Sequence, residues 1–139
     1  MTNLIFHEIN QKSRLSIKEV NETLKEFGLY SAQWSILFCL NQFGSMTQTE
    51  LWRYLHVEAP TITRTLVKLE DHKLITRQAG KDKRERTVHL TNEAKVLIPQ
   101  IKSRVDIVEK KMLASLSEVE LQQLSGLLKK VGGSIEHDN

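Results

Sequence analysis

The sequence predicts a mainly α-helical fold with one small β-hairpin. Apolar residues recur every three or four positions over most of its 139 residues, which is the spacing of one helix face. Two capping boxes, TQTE at 47–50 and SEVE at 117–120, indicate helix starts. The stretch GKDKRERTVHLT at 80–91 differs: a charged tip is followed by alternating polar and apolar residues, which is typical of a strand.

The first two helices are predicted over residues 4–27 and from Ser31 to just before Gly44. The apolar positions of the first helix share one face: Ile5, Ile9, Val20, Leu24 and Phe27. Gly28 should end this helix, because glycine is favoured just beyond a helix C-terminus. Ser31 is the expected cap of the second helix.

A short helix is predicted to begin at the cap Thr47, and another helix near Pro60. The second of these should run to about Lys73, since proline is well accommodated in a first helical turn. One face of it is apolar: Ile62, Leu66 and Leu69. The remaining surface carries a different set: Pro60, Thr61, Thr63, Arg64 and Lys68.

Two short strands near 75–78 and 87–90 should enclose a tip at Gly80. A long helix capped by Thr91 follows, and Pro99 should either kink it or place its true start later. A last helix follows the capping box at 117–120. The order of helix, turn, helix and hairpin predicts a winged helix-turn-helix with additional helices at both ends.

The positive charge is concentrated in one stretch of the sequence. The net charge of the chain is +3. Residues 58–90 contain eight Lys or Arg against five Asp or Glu, whereas the stretches before and after them are neutral. A local basic patch on a neutral protein indicates a polyanionic partner. A solvated loop is the alternative for such a run taken alone.

Composition argues against several other classes of protein. The longest apolar run, Ile36–Leu40, is far too short to span a membrane, and the first residues do not resemble a secretory signal. A single cysteine, Cys39, excludes an internal disulfide framework. We therefore expect a cytoplasmic protein.

The helix near Pro60 has the chemistry to read DNA. A helix fits the major groove of B-DNA, and its N-terminal residues meet base edges. Thr61 and Thr63 can hydrogen-bond bases or phosphates, and the Pro60 ring can contact a thymine methyl. Arg64 can grip guanine or phosphate through two parallel hydrogen bonds.

The hairpin tip is predicted to enter the neighbouring minor groove. A narrow minor groove attracts an inserted arginine, and Arg84 lies near the tip. Asp82 is two residues earlier and could orient the Arg84 guanidinium in advance. The basic residues around them are expected to contact phosphates: Lys81, Lys83 and Arg86.

These motifs resemble a known family. DKRERTVHLT at 82–91 is similar to the wing signature of the MarR/SlyA transcriptional regulators, which Asp82, Arg84, Leu90 and Thr91 match. Residues 45–78 resemble the helix-turn-helix of the same family, and 28–40 the segment before it. The resemblance implies a homodimeric repressor or activator that reads a pseudo-palindromic operator in double-stranded DNA.

The same resemblance implies a division of the chain. Residues 1–30 would form an N-terminal dimerisation helix, 31–90 the winged helix-turn-helix, and 91–139 the C-terminal dimerisation helices. Together the N- and C-terminal helices would form a dimerisation arm. The apolar stripes on these helices agree, because a lone subunit could not easily bury them.

Regulation by a small molecule is a further implication of the resemblance. Many members release DNA when a small aromatic or phenolic ligand binds between the arm and the winged helix. His7, Trp34 and Phe38 are candidates to line such a pocket, although core packing explains the two aromatic residues equally well. Cys39 has apolar neighbours and is expected to be a buried, inert thiol.

Other functions are less compatible with the sequence. The five histidines are scattered, without HxxxH or CxxC spacing, so no metal or other cofactor is expected. No nucleophile–base cluster, carboxylate pair or glycine-rich phosphate loop indicates an enzyme. The alternative function is a winged-helix protein-interaction module without specific DNA readout.

Overall fold

A computed structural model describes residues 4–80 and 85–136 of the chain. Most of these residues are helical, and the strands form one small sheet, which confirms the mainly α fold class. The elements in chain order are α1 (Ile5–Leu24), a 3₁₀ turn (Lys25–Phe27), α2 (Ser31–Phe43), β1 (Met46–Thr47), α3 (Gln48–Leu55), α4 (Ala59–Asp71), β2 (Ile75–Ala79), β3 (Arg86–Leu90), α5 (Asn92–Met112), α6 (Glu118–Lys130) and α7 (Gly133–Glu136).

The sheet has the order β1–β3–β2, and both pairings are antiparallel. β2 and β3 form the predicted hairpin. The sequence did not predict β1, because two residues are too few to show an alternating pattern. Val88 at the centre of β3 pairs with Met46 on one side and Arg77 on the other.

Three predicted helix caps are confirmed. Each side-chain oxygen accepts a backbone N–H of the first turn: Thr47 from Glu50 at 3.1 Å, Thr91 from Ala94 at 3.1 Å, and Ser117 from Glu120 at 3.2 Å. Gly28 also has the predicted role, since its φ of 69° reverses the chain after the 3₁₀ turn. These four boundaries are therefore encoded locally.

The predicted cap of α2 is wrong. Tyr30 occupies the cap position, and its backbone N–H donates to Gln33 Oε1 at 2.8 Å. Ser31 is the first helical residue, and its N–H donates to Asn21 Oδ1 at 2.7 Å. Side chains of Gln33 and Asn21 thus satisfy free amides at the start of α2, and the Ser31 hydroxyl is not needed there.

Pro99 does not delay the start of α5. The helix begins at Asn92, where Thr91 caps it, and Pro99 lies within it. The alternative of a later start is therefore wrong.

The hydrophobic core is formed mainly by α2, α4, α5 and the base of the hairpin. Its most deeply buried side chains are Leu24, Ile36, Leu37, Leu51, Leu66, Leu69, Ile75, Val88, Ile98 and Ile101. The inner face of α4 is anchored in this core, which leaves the opposite face of α4 on the surface beside the hairpin.

Among the described residues, nothing covers the start of α1 or the length of α6 in this way. α6 buries none of its residues. Large apolar side chains are exposed on both: Leu4, Ile5, Phe6, Leu124, Leu127 and Leu128. In residues 4–80 and 85–136, no helix combines the length and apolar character needed to cross a membrane.

Candidate nucleic-acid interface

The start of α4 is open to solvent. The N–H groups of Thr61 and Ile62 donate to the Glu58 carbonyl at 3.0 and 3.1 Å, which closes the first turn. Pro60 occupies that turn, as predicted. The positive end of the helix dipole therefore meets the surface, where it favours a phosphate.

The two predicted faces of α4 are confirmed. Ile62, Leu66 and Leu69 are buried. The predicted DNA-contacting residues lie on the other side of the helix, with Thr61 half-buried and the rest exposed: Pro60, Thr63, Arg64 and Lys68. We call these five residues, together with Val67, the outer strip of α4.

Two side chains of the outer strip already have partners within the helix. Arg64 Nη2 donates to Thr61 Oγ1 at 3.2 Å, which orients the guanidinium along the helix. Thr63 Oγ1 donates to the Ala59 carbonyl at 3.0 Å. The Thr63 hydroxyl is thus committed as a donor, and its oxygen remains available as an acceptor.

Sequence reasoning missed Val67 in this strip. Its side chain is 41% exposed although it is apolar, and it lies one turn beyond Thr63 and Arg64. The signal was present, because Val67 falls off the stripe formed by Ile62, Leu66 and Leu69. An exposed valine at this position is suited to contact a thymine methyl.

The hairpin extends away from the core beside α4. β2 ends at Ala79, and β3 begins at Arg86. Just beyond the two strands, the Gly80 N–H donates to the Glu85 carbonyl at 3.1 Å. Arg86 is exposed at the distal end of β3. The other predicted wing residues lie outside the described residues: Lys81, Asp82, Lys83 and Arg84.

Arg77 differs from the other basic residues of the 58–90 stretch that the structure describes, all of which are exposed. Its Nη2 and Nε donate to the two carboxylate oxygens of Glu70 at 2.9 and 3.3 Å, and its side chain is only 11% exposed. These hydrogen bonds, with the positive charges of Arg77 and Arg86, hold the pKa of Glu70 below its usual range. Arg77 therefore forms an internal ion pair and is not part of the free basic surface.

A cavity of about 340 Å³ lies between α1, α2, α3 and α5. Trp34 and Phe38 line it, with their ring centroids 6.1 Å apart. Trp34 is buried and also belongs to the core, whereas Phe38 is 39% exposed. His7 does not line this cavity: it is exposed near the start of α1, and the part of α1 at the cavity is Ser16, Ile17 and Val20.

Comparison with known proteins assigns these features to a family. The family model described as the MarR family matches residues 29–85. The chain is 45% identical over 125 residues to the uncharacterized HTH-type transcriptional regulator YwoH of Bacillus subtilis (strain 168), covering 90% of this chain and 91% of YwoH. The chain belongs to the MarR family. It is a DNA-binding transcriptional regulator of winged-helix fold.

Solved structures of MarR proteins share this architecture. Wild-type apo MarR from E. coli has 27% sequence identity and a TM-score of 0.74, over 94% of this chain and 96% of that one. The S. aureus MepR–DNA complex has 26% identity and a TM-score of 0.83, over 94% and 97% of the two chains. The similarity therefore includes the terminal helices as well as the winged helix.

Cys39 has the environment predicted for it in this MarR protein. It is 2% exposed, and burial raises the pKa of its thiol. Both effects oppose formation of the reactive thiolate. As for metal binding, the described part of the chain has no group of three or more His, Cys, Asp or Glu residues that could hold an ion.

Proposed function

We propose that this MarR-family regulator binds a pseudo-palindromic operator as a homodimer, with α4 in the major groove and the wing in the minor groove. The outer strip of α4 is the observation that carries the proposal. It is a polar and basic surface on a helix whose other face is fixed in the core. Its N-terminus is open, which is the end that meets base edges in this binding mode.

Within α4, Arg64 is the residue we expect to discriminate between bases. Thr61 already orients its guanidinium, so less side-chain entropy is lost when it binds. Arg64 would grip guanine, or a phosphate, through two donors. Thr63 and Val67 would contact neighbouring bases, and Lys68 a phosphate.

At the tip of the wing, we propose that Arg84 enters the minor groove and that Asp82 holds its guanidinium. Lys81, Lys83 and Arg86 would bind phosphates. The exposed position of Arg86 at the end of β3 supports its part of this proposal.

The exposed apolar stripe of α6 supports the homodimer. α6 buries none of its residues within one chain, and its exposed apolar residues are Val119, Leu124, Leu127 and Leu128. Packing against a second copy would remove this surface from water. The two-fold axis would then set the two α4 helices about 34 Å apart, one turn of DNA. The arm would comprise residues 1–30 and 91–139 on either side of the winged helix at 31–90.

Selection of bound fragments from random DNA, followed by gel-shift titration, tests this function. A single palindromic consensus is expected. Arg64→Lys and Arg84→Lys should each weaken binding about tenfold or more, because lysine cannot reproduce the planar two-donor contact. Lys12→Ala removes a positive charge from an exposed position of α1 and is the control for general charge loss. Because α1 belongs to the proposed dimerisation arm, sedimentation should first show a native dimer, and unchanged affinity is then expected.

The same titration distinguishes the alternative of a protein-interaction module. Such a module would select no consensus, and neither arginine variant would change DNA binding. The affinity of a true operator complex should also fall steeply with salt on a log–log plot, since phosphate contacts release counterions. A flat plot would contradict the phosphate contacts.

A second proposal is that a small aromatic or phenolic ligand binds the cavity beside Trp34 and Phe38 and releases the operator. The cavity volume of about 340 Å³ and its aromatic wall support this proposal. A ligand screen that follows operator release is the test, with Phe38→Ala expected to weaken any effective compound. We further propose that the protein has no enzymatic role and acts where chromosomal DNA is found, in the cytoplasm.

A further inference from the structure

One face of the β2–β3 hairpin is buried and apolar at its base but exposed at its far end. Residues paired across the strands point to the same side, so one face carries Ile75, Arg77 and Ala79 of β2 with Arg86, Val88 and Leu90 of β3. Ile75 and Val88 are buried at the base, 1% and 0% exposed. Ala79 and Arg86 are exposed. Apolar anchoring of the hairpin therefore ends at the level of Arg77.

At that level, Arg77 connects three elements. Its guanidinium donates two hydrogen bonds to Glu70 on α4 at 2.9 and 3.3 Å, and a longer one to Gln48 on α3 at 3.5 Å. The two-pronged contact with Glu70 fixes direction as well as distance, because a guanidinium and a carboxylate lie in one plane when they pair in this way. Arg77 is thus hydrogen-bonded to both helices of the helix-turn-helix, α3 and α4.

Glu70 is also within electrostatic range of the second strand of the hairpin. After the hydrogen bonds and charge of Arg77, the positive charge of Arg86 on β3 contributes to the lowered pKa of Glu70. The negative charge of Glu70 therefore attracts a basic side chain on each strand of the hairpin. Glu70 lies near the C-terminal end of α4, whose outer strip is the proposed base-reading surface.

Beyond Arg77, β1 contributes one more pair, Thr47 with Thr87, and after it the hairpin has only two strands. A two-stranded hairpin is marginally stable on its own, so Ala79 and Arg86 take their direction from the contacts at the level of Arg77 and Thr87. We propose that Arg77 and Glu70 are positioning residues that hold the wing at a fixed angle to α4, so that both reach their grooves together. The inference rests on the proposed DNA-binding function. A wing held in this way before binding loses less conformational entropy when it is ordered on DNA.

A double-mutant cycle on operator affinity tests the proposal. The first change is Glu70→Gln, which preserves shape but removes the charge that Arg77 and Arg86 meet. The second change neutralises the tip through Lys81→Ala, Lys83→Ala and Arg84→Ala. Glu70→Gln should weaken operator binding about five- to tenfold in the native protein and leave affinity unchanged in the tip-neutral protein, since the two changes would be coupled.

Matched variants separate positioning from general stability. Glu26→Gln removes another ion pair with a 2.9 Å contact, that to Arg104, and should leave operator affinity unchanged. Arg77→Lys keeps the charge but loses the two-pronged geometry, so it should weaken binding by an amount between native and Glu70→Gln. Thermal unfolding and sedimentation of each variant should show a folded protein in the native oligomeric state.

The outcomes distinguish this inference from the function on which it rests. An equal loss of affinity from Glu70→Gln with and without the charged tip would overturn the positioning role and leave the wing contact intact. If Glu70→Gln in an otherwise native protein bound operator with full affinity, the positioning role would also be overturned and the wing contact would be unaffected. If the tip-neutral protein itself binds operator as tightly as the native protein, both the wing contact and the inference are overturned.

Discussion

Helices α4 and α6 have the same length, thirteen residues, and each carries an apolar stripe. On α4 the stripe is completely buried within one chain, whereas α6 buries none of its residues. The difference shows that an amphipathic pattern indicates a face to be covered but does not identify what covers it. For α4 the cover is the rest of the chain; for α6 we propose a second copy.

The largest effect is expected from truncating the stripe of α4. Leu66 is fully buried, so Leu66→Ala should lower the free energy of unfolding by about 2–5 kcal/mol, through lost apolar burial and the cavity left behind. Denaturant titration at several protein concentrations measures this loss. Leu127→Ala on α6 is the matched change, and its cost should depend on protein concentration because the side chain is exposed in the single chain.

Disrupting the stripe of α6 should affect association rather than the fold of the winged helix. Leu127→Glu places a charge in the proposed interface and should raise the dimer dissociation constant about a hundredfold, since an unpaired charge is costly to bury. Analytical sedimentation measures this constant. Gln122→Glu adds the same charge at an exposed position on the side of α6 opposite Leu124 and Leu128, and it should have little effect. An unchanged dimer in Leu127→Glu would place the interface elsewhere.

Within α4, a change in the exposed outer strip should affect operator affinity more than it affects the free energy of unfolding. Val67→Ala should change the free energy of unfolding by less than about 0.5 kcal/mol, because Val67 is exposed. Its operator affinity should fall about three- to fivefold if its methyl groups are buried against DNA. Thermal unfolding and gel-shift titration on the same preparation separate the two effects, and unchanged affinity would remove Val67 from the interface.

The smallest expected effect concerns the pH dependence of stability. The pKa of Glu70 is lowered in the folded chain, chiefly by its hydrogen bonds with Arg77, so its stabilising contribution is present at neutral pH. That contribution should disappear as the pH falls below about 5 and through the lowered pKa of the folded state. Glu70→Gln should therefore lose less stability than the native protein on acidification, as measured by urea titration. Identical pH profiles would contradict this linkage.

Local patterns predicted much of the fold. The caps at Thr47, Thr91 and Ser117 were predictable because each involves residues only three positions apart. The two faces of α4 followed from helical spacing in the same way. Locally encoded features of this kind are the ones that a single sequence can provide.

Features that depend on distant residues were not predicted. Asn21 and Ser31 are ten residues apart, and Gln48 and Arg77 are 29 apart, so no short window of sequence contains either contact. β1 likewise exists only because β3 lies beside it. The roles of Lys81–Arg84 remain predictions from sequence.

Thr47 is the last residue of β1 and also the cap of α3, so one residue joins the sheet to the helix-turn-helix. Because β1 pairs with β3, the hairpin cannot swing as a separate flap without pulling on the start of α3. Each winged helix should therefore move as one rigid body. An effector that weakens operator binding would have to change the spacing or tilt between the two winged helices of a dimer, without changing the internal structure of either.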